Sequence, residues 1–232
     1  MASKTADLVV QTGFNRSTAL EGALDRGIPF LVMEEPPFRT LQAGWASFGY
    51  NGLAGGAYRP KAPEEPRPTP DIAPLKTSGA TLIIGQKPTD LSLRGSDHVE
   101  WLEDKLLEYP GADIRHHPLC VAERTTIEEG LRDVKKVIVY TSTVAVDAAV
   151  AGCEVVIEGS GCWWRAIGTR EEECHELSWA AFTHAELATQ RVARYILSGY
   201  EEACTIEPEL SYRKGEADVR RAICEQYRVR LQ

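Results

Sequence analysis

A chain of 232 residues, 43% hydrophobic and 26% charged, is long enough to bury one large core or two small ones. Its net charge of −8 argues against holding nucleic acid by bulk electrostatics. An enzyme that touches DNA briefly through a local basic groove is compatible with that charge. Arg115, Arg124, Lys135, Lys136, Lys214, Arg220 and Arg221 are the candidates for such a groove, a solvated face being the bland reading. No apolar run approaches the roughly 20 residues of a membrane span. MASKTADLVV has neither a signal-peptide core nor a transit-peptide bias, so a cytoplasmic protein is expected. The six cysteines form no CxxC pair and are spaced too irregularly for a zinc knuckle; reduced thiols are expected.

In chain order, DLVVQT reads as a strand, Ser17 to Arg26 as a helix stopped by Gly27, and IPFLVM as a buried strand running into Glu34 and Glu35. Arg59 to Ser78 carries six prolines (Pro60, Pro63, Pro66, Pro68, Pro70 and Pro74), a density that forbids helix and central strand and makes an extended connector. Beyond it the alternation is cleaner. ATLIIG is a strand, and Asp97 to Tyr109 a helix with Val99, Leu102 and Leu106 on one face. ADIRHHP is a short strand, and Thr126 to Val134 a helix opened by Thr125 or Thr126. KVIVYT is a strand, Val144 to Ala151 a helix closed by Gly152, CEVVIE a strand, and Arg170 to Leu197 one long amphipathic stretch. Continuous β-branched runs alternating with helices predict an α/β fold with parallel sheets, which bind ligands at the carboxyl ends of their strands.

Two strand ends carry the sharpest chemistry. At Arg115-His116-His117-Pro118, the proline stops the strand and presents His117 at the sheet edge. At Tyr140-Thr141-Ser142-Thr143, two hydroxyls stand where a strand turns into a helix, a natural place for a phosphate. An imidazole nearby hydrogen-bonds phosphate or helps it depart. Taken singly, Ser or Thr there is an N-cap and His-Pro a common strand end; taken together on neighbouring strands, they suggest a donor pocket. Trp163 and Trp164 are read either as a stacking platform in that cleft or as core.

The ordered series GQKPTDLS (85–92), RHHP (115–118) and TSTVAVDAAVAGCEVV (141–156) resembles the capsule-polysaccharide-type Kdo glycosyltransferases and their compact phage relatives. IPFLVMEEPPFR (28–39), FGYNGL (48–53) and LSWAAFTHAEL (177–187) resemble further segments of that family. The resemblance implies a metal-independent transferase with a GT-B-like fold, two Rossmann-like lobes with parallel sheets. Its division would be a reduced acceptor-side lobe over 1–58, the connector over 59–78, a nucleotide-sugar-binding lobe over 79–199 and a C-terminal tail or helix over 200–232. Carried over by position, His117, Pro118, Ser142, Thr143, Gln86, Asp90 and Arg115 would hold the donor, a UDP-sugar ahead of a CMP-sugar. Glu35, with Glu34 beside it, would be the general base, and Arg39, Asn51 and Trp164 would meet acceptor or phosphate. The compact relatives make a 5-hydroxymethylpyrimidine of phage DNA the first acceptor, ahead of polysaccharide.

Two features depart from the family. Glu35 and Pro36 stand where Asp-Gly is usual, and the N-terminal lobe is short, either pared down or completed by a partner subunit in a homo-oligomer. No dinucleotide loop, Walker A motif or DxD-like metal site is visible. Two rival readings remain: a nucleotide-sugar epimerase, revealed by sugar interconversion without an acceptor, and a non-catalytic nucleotide-sugar-binding module.

Overall fold

The computed structural model describes residues 7–206, apart from 13–17, 40–44, 53–55, 89, 94–95 and 122–124. Arg124, Lys214, Arg220, Arg221 and most of the expected C-terminal tail therefore lie outside the described residues. Two compact units share the chain, each with one four-stranded sheet. Among the described residues no helix is long and apolar enough to cross a membrane.

The first unit is built from 1–70 and 167–211. Its strands are β1 (Val9–Thr12), β2 (Phe30–Glu34), β3 (Trp45–Tyr50) and β8 (Ala181–Thr183), in the order β1-β2-β3-β8. Helix α1 (Thr18–Arg26) links β1 to β2, which pair in parallel, as expected. The other two pairings are antiparallel, so this sheet is mixed. β3 and β8 were not anticipated. β8 interrupts the long stretch from Arg170, which instead folds as α5 (Arg170–Ser178), β8, α6 (His184–Leu187), α7 (Gln190–Ser198) and α8 (Tyr200–Ala203). Capping boxes Thr169/Glu172 and Thr183/Glu186 start α5 and α6, cutting the apparent single helix into pieces.

This pairing overturns the expected lobe over 79–199. Residues 167–199 belong with the N-terminal strands because Trp179 and Phe182 join Leu31, Phe48 and Tyr50 in one core. The Tyr50 hydroxyl donates to the Ile196 carbonyl at 2.9 Å and the Tyr195 hydroxyl to that of Pro60 at 2.9 Å. Arg67 pins the first half of the proline-rich segment to the same core. Its guanidinium donates to the carbonyls of Ser178 (2.9 Å) and Ala181 (3.0 Å) and to Glu186 Oε1 (2.9 Å), and lies 4.4 Å from the Phe182 ring centroid.

The second unit, 71–166 among the described residues, holds β4 (Ala80–Ile84), β5 (Asp113–Arg115), β6 (Val134–Val139) and β7 (Glu154–Ile157). All pairings are parallel, in the order β5-β4-β6-β7. The strands are apolar at their centres because helices cover the sheet. Helix α2 (His98–Glu108) packs Leu102 onto Ile83 and Ile138. The Asp97 side chain caps it, accepting from the amides of Val99 (3.0 Å) and Glu100 (3.1 Å). Leu106, expected on the buried face, is exposed. Helix α3 (Ile127–Leu131) is shorter than expected: Thr126 caps it, and Val134 already belongs to β6. Helix α4 (Val144–Val150) ends at Gly152, whose φ of 78° and close approach to the Pro74 carbonyl both demand glycine. The second half of the connector is tied here, Ala73 N donating to Val150 O and Lys76 N to Gly152 O, each at 2.8 Å. Cys120, Cys153, Cys162, Cys174 and Cys204 are thiols.

Candidate functional site

In the second sheet the chain leaves β4 towards β5 on one side and leaves β6 towards β7 on the other. The crevice between the carboxyl ends of β4 and β6 is thus the topological switch point, where open α/β sheets take ligands. Residues 85–88, 90–92 and 141–143 form its two lips.

A buried network spans the lips. Gln86 Oε1 accepts from the Thr141 amide (2.8 Å), and Gln86 Nε2 donates to Thr141 Oγ1 (3.0 Å) and Ser92 Oγ (3.2 Å). Asp90 Oδ1 in turn accepts from Ser92 N (2.9 Å) and Ser92 Oγ (2.8 Å). Both amide hydrogens of Gln86 are committed to protein partners. Gln86 therefore acts as a brace between strand ends, in place of the donor contact expected of it. Asp90 holds the loop and adds negative charge beside His117.

His98 supports this brace from α2. Its Nε2 accepts from the Gln86 amide at 2.7 Å, its ring stacks on Trp101 with centroids 5.0 Å apart, and its Nδ1 is buried without a protein partner. Burial lowers its pKa from 6.5 to about 4, against the raising influence of Asp90 and Asp97. The unfolded chain thus binds the extra proton first. The contribution of His98 is complete above pH 6.5 and is lost as pH falls towards 4, costing about 3 kcal/mol by pH 4. Denaturant melts at pH 7 and pH 4 test this: the difference should shrink by that amount in His98→Gln.

The His-Pro corner follows β5. The Leu119 amide donates to His117 Nδ1 at 3.2 Å, which leaves the ring proton of the neutral form on Nε2. Burial lowers the His117 pKa, Lys87 adding to the effect and Asp90 opposing it. A neutral imidazole with an Nε2–H donor suits a phosphate oxygen. Pro118 is exposed at the turn, and burial also lowers the pKa of His116.

At the Ser-Thr corner, Ser142 Oγ accepts from the Val144 amide at 3.3 Å and so is used on the start of α4. The Thr143 hydroxyl makes no capping bond. The two corners were expected on neighbouring strands; β4 lies between β5 and β6. Two strand spacings separate them by about 10 Å, and the Gln86–Thr141–Ser92 network occupies the floor between. The lips and the His-Pro corner are parts of one strand-end surface.

A cavity of about 370 Å³ opens at the His-Pro corner, lined by Arg115, His116, Pro118 and Thr125 among others. His116 and Thr125 join the site through this cavity, a placement their sequence context does not signal. Trp163 and Trp164 are each 4% exposed; they are buried rather than offering a stacking platform, which removes the contact expected of Trp164.

In the first unit, Glu34 ends β2 opposite Ser47, and Glu35 follows it, exposed. Ser47 Oγ donates to the Glu35 carbonyl at 2.8 Å, and Phe38 plunges into the core at 2% exposure, so the acidic turn is anchored on both sides. Arg39 is exposed beside it. Asn51, expected at the acceptor, is instead a structural knot. Its Oδ1 accepts from Phe30 N (3.0 Å), and its Nδ2 donates to the carbonyls of Ala203 (2.7 Å) and Ile206 (3.1 Å).

No protein-family model matches the sequence, and neither does any curated protein. Solved structures do. The chain is similar to the beta Kdo 2,4 transferase of Thermosulfurimonas dismutans KpsC, with a TM-score of 0.52 at 15% identity over 78% of this chain and 83% of that one. The fold is Kdo-transferase-like. The beta Kdo 2,7 transferase of the same KpsC is similar at a TM-score of 0.49 and 13% identity, over 76% of this chain and 78% of that one. Within a Kdo-transferase-like fold, the α/β class expected from the sequence holds, with a parallel sheet in the second unit.

Proposed function

We propose that the protein is a glycosyltransferase, moving a sugar from a nucleotide-sugar donor to an acceptor hydroxyl. The observation that carries this reading is the switch-point crevice of the parallel sheet, flanked by a neutral His117 and the Thr143 hydroxyl, in a chain of Kdo-transferase-like fold. In this reading His117 donates its Nε2–H to a donor phosphate oxygen and stabilises the departing nucleotide. Thr143, at the other corner, supplies a hydrogen bond to a neighbouring part of the donor. Gln86, through Thr141 and Ser92, holds the lips in place. Glu35 takes the proton from the acceptor hydroxyl as it attacks the anomeric carbon, and the bond from that carbon to the phosphate oxygen breaks.

For the acceptor we propose a 5-hydroxymethylpyrimidine of DNA, supported by the resemblance of 48–53 to a segment common in the compact phage transferases. Such a base must leave the stack to present its hydroxyl. The experiment is a transfer assay with labelled UDP-, CMP- and GDP-sugars against hydroxymethylated DNA, unmodified DNA and capsular polysaccharide. Label on hydroxymethylated DNA alone supports the full reading. Label on polysaccharide alone keeps the transferase and overturns the DNA acceptor. Sugar interconversion without transfer replaces the reading with an epimerase.

A further inference from the structure

β8 is an outer strand of the first sheet, and an outer strand leaves backbone groups for something other than a strand to pair. Arg67 takes that place. Its side chain is 7% exposed, and its Nη2 donates to the Ala181 carbonyl of β8 at 3.0 Å. Its Nη1 reaches Glu186, whose other oxygen accepts from the Thr183 amide at 2.8 Å, so one carboxylate ties the arginine to the far end of the same strand. Three rings surround the guanidinium: Phe182 at 4.4 Å, Trp179 at 5.1 Å and Trp45 at 5.7 Å, the last of them on β3. Pro66 and Pro68 flank Arg67, and a residue before proline is held extended. The free carbonyls of such an extended segment need donors. His175 Nε2 and Trp179 Nε1 supply them to Pro63 (2.8 Å) and Glu65 (3.0 Å).

The row that Arg67 closes leads to the acidic turn. Ala181 is in register with Ser47 on β3, and Ser47 with Glu34 on β2. Ser47 is 1% exposed, and its hydroxyl donates to the Glu35 carbonyl at 2.8 Å. Arg67, Ala181, Ser47 and Glu34 thus stand in one line across the sheet, ending at the residue before Glu35. Misplacing a reacting group by 1 Å from a distance costs about 10²-fold in rate. A shift of β8 along β3 carries Ser47 with it and moves the turn.

We propose that Arg67 is a positioning residue for sugar transfer: from the proline-rich segment it fixes the edge of β8, and through Ser47 it sets where Glu35 stands. This assignment rests on the glycosyltransferase reading with Glu35 as the base. It gives the proline-rich segment a role beyond connection, that of a rigid carrier for one guanidinium.

The test is steady-state transfer by the full chain from labelled UDP-, CMP- or GDP-sugar to hydroxymethylated DNA or capsular polysaccharide, whichever pair reacts. Wild type is compared with Arg67→Met, Ser47→Ala, the double variant and Glu35→Gln, each below its own melting transition. Arg67→Met and Ser47→Ala should each lower kcat about tenfold, with the donor KM within about twofold of wild type. The double variant should be no slower than the slower single one, because both changes cut the same line. If Arg67→Met does not fold, Arg67→Lys takes its place: it keeps a charge for Glu186 but cannot hold two carbonyls and a carboxylate in one plane. A kcat within about threefold of wild type for the Arg67 variant, a loss confined to donor KM, or losses that multiply in the double variant overturns the inference and leaves Glu35 as the base. A Glu35→Gln enzyme as fast as wild type, or a wild type that transfers to neither acceptor, overturns both.

Discussion

Replacing Glu35 by Gln is expected to slow sugar transfer by about 10²–10⁴-fold, the usual worth of a positioned general base, with nucleotide binding unchanged. The substitution keeps shape and hydrogen-bonding capacity and removes only the ability to take a proton. Glu35 stands one residue past β2, on a turn tied to β3 by the Ser47 hydroxyl and anchored by buried Phe38, so its backbone is held. Those contacts are made by the backbone and by neighbours, not by the carboxylate, and the fold should tolerate the change. Steady-state transfer rates for Glu35→Gln and Glu34→Gln, beside nucleotide titrations, decide which acid is the base. A Glu35→Gln enzyme with a rate within about threefold of wild type removes Glu35 from the mechanism.

Asn51→Ala is expected to destabilise the protein by about 3–4 kcal/mol. Asn51 is 3% exposed with φ at 54°, and its carboxamide ties Phe30 at the start of β2 to the carbonyls of Ala203 and Ile206 after α7. Alanine takes the carboxamide partner from the Phe30 amide and from the carbonyls of Ala203 and Ile206. It also carries a Cβ into a left-handed conformation that asparagine tolerates better. The melting temperature should fall by about 10 °C for a chain of this size. Asn51→Gly should recover the backbone part alone, about 1 kcal/mol. Equal melting of Asn51→Ala and wild type would reverse the assignment and return Asn51 to the surface chemistry expected from sequence.

Asn51 and Gln86 illustrate one limit of sequence reading. Each stands in a motif-like run of polar residues, and each proves to be a buried brace. A carboxamide can bridge backbone donors and acceptors as readily as it can hold a ligand, and only the tertiary neighbours distinguish the two. β1, β2, β4, β5, β6 and β7 were legible as strands, and the clearest of them, β4 and β6, end in apolar runs buried in a parallel sheet. β3 and β8 were missed for a physical reason. Trp45–Tyr50 is broken by Ser47 and Gly49, and Ala181–Thr183 lies between two capping boxes in a stretch of helical composition. Their extended form comes from pairing with each other across more than 130 residues, a long-range contact that overrides local preference. Strand order was hidden for a related reason: β5 and β6 are consecutive in sequence, yet β4 lies between them.

Sugar transfer by this protein requires the crevice beyond β4 and β6 to accept a phosphorylated donor with help from His117. A thermal-shift screen of wild type and His117→Ala against UDP, CMP, GDP and their sugars measures this most directly. At a ligand concentration a hundred times its dissociation constant, the bound wild type should gain about 2.7 kcal/mol of stability, and His117→Ala should lose most of that gain at the same concentration. A wild type whose melting no nucleotide or nucleotide-sugar raises, or a His117→Ala protein that gains as much as wild type, would contradict it.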